Sequence, residues 1–191
     1  MKFADLRGIL QYVPQFRGAV FVVAVVAFAG QAQAATTFLT GASATSLGLD
    51  PHAPDPVVGW EDAAVEPERL GAYLREFKAV VASYGYKTNL YGHFGDGCIH
   101  SRITFDLKSE DGIANWRAFL DEAAHLVVRY GGSLSGEHGD GQAKGEYLHI
   151  MYSPAIMQAF AAFKHIWDPL NRMNPGKLIH AMPVDAHLRL G

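Results

Sequence analysis

The stretch Tyr91-Gly92-His93-Phe94-Gly95-Asp96-Gly97-Cys98-Ile99-His100-Ser101-Arg102-Ile103-Thr104-Phe105-Asp106-Leu107 decides the fold. Its first half is a tight turn, because glycines around an aspartate reach positive φ without cost and let backbone approach closely. Its second half alternates. Ile99, Ile103, Phe105 and Leu107 take one side and His100, Arg102, Thr104 and Asp106 the other, which is the two-residue period of a strand. With Tyr86 to Tyr91 read as the preceding strand, the turn joins an antiparallel pair, and His100 and Arg102 project from one face of it.

Outward from this hairpin the apolar spacing changes to the helical period. Leu70, Tyr73, Leu74, Phe77, Val81 and Tyr84 predict a helix that starts at Pro67 and ends at a left-handed Gly85. A longer helix from about Asp111 carries Trp116, Phe119, Leu120, Ala123, Val127 and Tyr130 on one face, and Gly131-Gly132 stops it. A third begins at Ser153-Pro154 and ends before Asp168-Pro169. It is expected to bury Ile156, Ala159, Phe160, Phe163 and Trp167. Helices packed on a small antiparallel sheet make the class α+β.

The chain has 191 residues, of which 49% are apolar and 12% aromatic, a globular composition. Its net charge of −3, with no cluster of Lys and Arg, gives phosphate backbones nothing to bind, so nucleic acid is excluded as a partner. Cys98 is the only cysteine, which excludes an internal disulfide. Residues 1–35 differ from the rest, because Lys2, Arg7 and Arg17 precede the uncharged run Ala19 to Gly30 and then Gln31-Ala32-Gln33-Ala34. That order fits a secretory signal with an A-x-A site, and it equally fits a buried strand, Val20 to Val26, after a short helix. The run is shorter than the roughly 20 residues that span a bilayer. Residues 36–57, stiffened by Pro51, Pro54 and Pro56, read as a linker, and residues 58–191 as the folded unit.

A second loop, Ser135-Gly136-Glu137-His138-Gly139-Asp140-Gly141, repeats the pairing of imidazole with a Gly-Asp-Gly turn. His93 and His100 are seven residues apart, a spacing that fits neither the helical nor the ribbon pattern of zinc sites. A loop followed by a strand can still bring both to one ion with Glu137 as the third ligand, leaving positions open for reaction. The other reading, that these histidines cap turns and satisfy buried backbone, stays open on spacing alone. In an extended backbone Glu137 and His138 would point opposite ways. Imidazole, with a pKa near 6.5, is the natural proton acceptor at neutral pH. Asp96 and Asp140 read as turn-stabilising, and Arg102 as a bidentate clamp for a carboxylate or an exposed strand arginine.

From about Val58 to Gly191 the chain resembles the C-terminal part of FAD-linked oxidases of the D-lactate/glycolate/D-2-hydroxyglutarate dehydrogenase group, in the vanillyl-alcohol-oxidase superfamily. Three ordered motifs carry the resemblance: the run Gly92 to His100, the run Gly131 to Gly141, and Asn174-Pro175-Gly176-Lys177. The similarity is closest to large bacterial members with a downstream iron–sulfur region, since Gly59-Trp60-Glu61-Asp62 and Leu188-Arg189-Leu190-Gly191 are also in place. The resemblance implies a flavin-capping α+β domain. It implies that His93, His100 and Glu137 hold a divalent metal, typically zinc, and that His138 is the base. It also implies that Asn174, Gly176 and Lys177 lie beside the flavin. In such enzymes the metal and a cationic side chain, here Arg102 or Lys144, hold a 2-hydroxy acid whose C2 passes hydride to the flavin. Electrons then leave to an iron–sulfur, quinone or cytochrome acceptor.

The departures set further expectations. Residues 1–57 are too short to be the family's FAD-binding domain, so FAD is expected to be shared with a separate domain or subunit. This chain is then expected to supply half an active site. Lys144 stands where relatives often have arginine, and keeps the charge without the planar fork. Arg102 stands where some relatives have asparagine. Beside the dehydrogenase reading stand a metal- or anion-binding module without redox activity and an inactive remnant. The expected location is the cytoplasm or the periphery of the inner membrane, or the periplasm if the leader is cleaved.

Overall fold

The computed structural model describes residues 57–188. The leader and most of the linker read from the sequence lie outside the described residues. Three strands, β1 (Val57–Ala64), β2 (Thr88–His93) and β3 (Cys98–Ile103), form one antiparallel sheet in the order β1-β3-β2. Among the described residues there are five α-helices: α1 (Pro67–Ser83), α2 (Glu110–Arg129), the short α3 (Gly141–Gly145) and α4 (Leu148–Met151), and α5 (Pro154–Trp167). The α+β class read from the sequence is the class observed.

Both long helices start and stop for local reasons. Pro67 occupies the first turn of α1, where its missing N–H costs nothing. Ser109 caps α2, its side chain accepting from Gly112 N at 3.0 Å. Each helix ends in the same double-bonded left-handed turn. Gly85 N and Tyr86 N donate to Ala82 O and Val81 O, and Gly131 N and Gly132 N donate to Val128 O and Val127 O. Gly85 and Gly131 have φ of 74° and 73°, so glycine is needed at both.

The core lies between one face of the sheet and these two helices. Leu70, Tyr73, Phe77 and Val81 of α1 and Trp116, Phe119, Leu120, Ala123 and Val127 of α2 are buried against Ile99, Ile103 and Phe105. Phe119 is its centre, with ring centroids of Phe105, Tyr84, Tyr86 and Phe77 between 5.4 and 6.2 Å away. Edge-to-face pairs of this kind add to the burial of area itself.

Three expectations need correction. The sequence reading left β1 out, because two irregularities in its pairing with β3 break the alternation that marks a strand. β3 stops at Ile103 instead of Leu107. Beyond Ile103 one cross-strand backbone bond remains, Thr104 N to Lys87 O, with Lys87 N donating in return to Thr104 Oγ1; Phe105 N then turns back to Ile103 O and Asp106 Oδ1 accepts from Lys108 N, so the ladder ends. Finally, α5 does not bury the face its periodicity marks. Ile156, Ala159 and Phe160 are half-buried, with Tyr152 beside α4 packed on Phe160, whereas Phe163 and Trp167 are each 58% exposed.

Candidate functional site

The site forms where three segments are tied together by backbone bonds. β1 ends beside the second loop, with Ala64 and Ser133 exchanging hydrogen bonds at 3.0 and 2.8 Å. Val65 N then donates to Gly97 O at 3.1 Å, which joins β1 to the hairpin turn. Gly97 must be glycine: its φ is 74°, and a Cβ there would lie 1.9 Å from Val65 O.

On the hairpin, His93 pairs with Cys98 and Tyr91 with His100, so all four side chains belong to the sheet face opposite the core. The second loop brings Glu137 onto that face. Its Oε1 lies 3.0 Å from His100 Nε2 and its Oε2 lies 3.6 Å from His93 Nε2. His138 Nε2 is 3.3 Å from Glu137 Oε1, and the His138 ring stacks on His100 at 5.0 Å and 9°. Thus the four residues singled out from sequence, His93, His100, Glu137 and His138, converge.

The convergence of Glu137 with His138 corrects the expectation that they point apart. The loop is not extended here. Successive N–H groups of Glu137 and His138 both donate to Asp62 Oδ2, at 3.0 and 2.7 Å, so the backbone is curled around one oxygen.

Glu61 is the functional candidate the sequence reading missed. Between Trp60, which pairs with Ser101, and Ala63, which pairs with Ile99, β1 has two residues opposite the single His100. This bulge aims Glu61 at the imidazole, with Oε2 3.1 Å from His100 Nδ1, and Tyr91 OH donates to the same carboxylate at 3.1 to 3.2 Å. Burial raises the Glu61 carboxyl above its ordinary value, against the pull of His100, Tyr91, His138 and Arg102. The contact has the distance of an ion pair without the angle of a hydrogen bond, and His100 Nδ1 is otherwise buried without a partner; a carboxylate in this position is the usual support for a metal-binding histidine.

Arg102 lies on the same face, near enough to Tyr91 and Glu61 for its charge to favour their ionised forms. Lys144 is elsewhere. It is buried with Nζ 3.6 Å over the Trp60 ring and has no hydrogen-bond partner. Burial lowers it to about 8 although Asp62, Asp140 and Glu61 all favour its charge. The third motif forms a closed turn beside the second loop. Lys177 Nζ donates to Gln142 Oε1, Leu178 N to Gly141 O, and Lys177 N to Asn174 O, with Asn174 and Gly176 at φ of 50° and 71°. Asn174, Gly176 and Lys177 are thereby fixed to the end of the second loop, not to the histidines.

The donor chemistry fits a divalent ion. Two imidazole nitrogens lie within 3.6 Å of one carboxylate, and one of those imidazoles is backed by a second carboxylate. Asp62, Cys98, His100 and Glu137 also offer ligand atoms within 4.8 Å of one another. Cys98 is poorly suited to join, because burial and the neighbouring Asp62 push its thiol up to about 12 and a metal binds the thiolate.

The profile of the family described as FAD linked oxidases, C-terminal domain, matches residues 15–178. A D-2-hydroxyglutarate dehydrogenase of Haemophilus influenzae is 34% identical over 140 residues, covering 73% of this chain and 13% of that protein. One of Pseudomonas putida is 38% identical over 125 residues, 65% of this chain and 12% of the relative. The glycolate oxidase subunit GlcD of Bacillus subtilis is 30% identical over 118 residues, 62% of this chain and 25% of the relative. The chain therefore spans between about an eighth and a quarter of the length of these relatives.

Proposed function

The chain belongs to the family of C-terminal domains of FAD linked oxidases, and from that premise we propose that it forms the substrate-side, flavin-capping half of a 2-hydroxy-acid dehydrogenase. The observation that carries the proposal is the Glu137 carboxylate set among the imidazoles of His93, His100 and His138. His93, His100 and Glu137 would hold a divalent ion, zinc in the first instance, with the Glu61 carboxylate set behind His100 Nδ1. When bound, the ion supplies a Lewis acid for the carboxylate and hydroxyl oxygens of the substrate, and FAD supplies the hydride acceptor.

The chain's own residues bind the acid and move its proton. Arg102 pairs with the substrate carboxylate, and the buried charge of Lys144 behind Trp60 favours an anion in front of it. His138, 58% exposed where His100 is buried, accepts the hydroxyl proton at its ring nitrogen as C2 gives up hydride. Asn174, Gly176 and Lys177 form the rim that meets the flavin. FAD is shared with a flavin-binding domain, which docks on this half. The exposed apolar side chains Phe163, Ile166, Trp167 and Leu170 support docking, since a patch of this kind marks an interaction surface. D-lactate and D-2-hydroxyglutarate are the candidate substrates, with an iron–sulfur, quinone or cytochrome acceptor downstream, in the cytoplasm or at the inner membrane.

The test is to co-express the chain with the flavin-binding region of the Haemophilus influenzae relative and follow flavin absorbance without oxygen. Wild type is expected to bleach on adding D-lactate or D-2-hydroxyglutarate, and His138→Ala to bleach at least about 100-fold more slowly. No bleaching by wild type, or equal rates for the two chains, overturns the proposal.

A further inference from the structure

We propose that Asp62 is the positioning residue of this site: it holds Glu137 and His138 in place from inside the sheet without touching ion or substrate. The inference rests on the functional reading above. Asp62 is 2% exposed and sits at the β1 bulge with φ of 74°, a conformation few side chains other than Asp and Asn adopt. There its carboxylate faces the second loop. Oδ2 accepts from Ser135 Oγ at 2.5 Å, Glu137 N at 3.0 Å and His138 N at 2.7 Å, while its main-chain O accepts from Gly136 N at 2.8 Å. Four donors from four consecutive residues thus end on one amino acid, and two of those residues carry the ligand and the base.

Asp62 is close enough to His100 and Glu137 to be considered a ligand itself. Its occupancy argues otherwise. Oδ2 is taken by three donors and Oδ1 by the Cys98 thiol at 3.4 Å, and an ion bound at either oxygen would face the positive ends of those N–H and O–H dipoles. The bulge therefore divides two carboxylates by role. Glu61 turns toward the ring of His100, and Asp62 turns toward the backbone that carries Glu137 and His138. A merely tight turn would not need this division.

The experiment compares the full chain with Asp62→Gly and Asp62→Asn, with folding checked by circular dichroism. Zinc affinity is read by competition with a chromogenic chelator, and amide hydrogen exchange is followed across residues 135–138 in metal-free protein. Glycine tolerates the left-handed φ but has no acceptor. Asp62→Gly is expected to bind zinc about 10- to 100-fold more weakly and to lose protection at Glu137 and His138. Asparagine keeps the φ and one oxygen for the two N–H groups, so Asp62→Asn is expected to recover most of both. Wild-type affinity and protection in Asp62→Gly overturns the proposal. So does an Asp62→Asn loss as large as that of Asp62→Gly, which would make Asp62 a ligand. Should wild type bind no zinc, the metal part of the proposed function fails, and amide protection alone decides the role of Asp62.

Discussion

Lys144→Met tests whether the buried charge over Trp60 has been read correctly. The lysine has its Nζ over Trp60 with no hydrogen-bond partner, and its pKa falls from the ordinary 10.5 to about 8. At about 1.4 kcal/mol per pH unit, that gap makes the charged form cost the fold about 3 kcal/mol at neutral pH. The unfolded chain holds the proton up to about 10.5 while the folded chain releases it at about 8. Between those values the unfolded state therefore binds more protons, and stability rises with pH. Integrated over pH 8 to 9, the gain is about 1 kcal/mol. Cys98 works the other way, because its thiol is pushed from 9.0 to about 12 in the fold, and over the same interval it costs about 0.3 kcal/mol. Methionine keeps the unbranched stem against Trp60 and has no proton to lose. Urea unfolding of both chains at pH 7, 8, 8.5 and 9 separates these effects, since subtracting one profile from the other removes the Cys98 contribution. The stability difference between Lys144→Met and wild type is expected to shift by about 1 kcal/mol in favour of wild type between pH 8 and 9. Parallel profiles would refute the reasoning.

Two further substitutions test the frame that holds the site. Gly97→Ala combines a left-handed φ of 74° with a Cβ 1.9 Å from Val65 O, and should cost about 3 kcal/mol or more in urea unfolding; a loss under about 1 kcal/mol would mean the hairpin turn is not packed on β1 as described. Phe119→Ala empties the centre of the aromatic cluster and should cost about 3–5 kcal/mol by the same measurement, whereas a loss under about 2 kcal/mol would place the core elsewhere.

The helices were legible in the sequence because period and punctuation agree there. Leu70, Tyr73, Phe77 and Val81 repeat at helical spacing between Pro67 and Gly85, so burial and capping point to the same element. β3 was legible through its alternation, and the convergence of His93, His100 and Glu137 through the motifs around them. β1 was not, and the reason is the bulge itself. Placing Glu61 and Asp62 together opposite His100 destroys the two-residue period that would have announced a strand, so the residues that support the site were hidden by the feature that aims them. The direction of His138 was lost for a related reason, since its loop curls around an oxygen of Asp62, 76 residues away in sequence. For α5, periodicity identified an apolar face correctly but carries no information about what covers it.

The most direct test of the site is X-ray absorption at the zinc edge of the full chain loaded with one equivalent of zinc. Stoichiometric metal is expected, with two imidazole ligands at about 2.0–2.1 Å, oxygen in the remaining positions and no sulfur. A sulfur neighbour at about 2.3 Å would make Cys98 a ligand and contradict the assignment to His93, His100 and Glu137, and a chain that retains no zinc would contradict the metal site altogether.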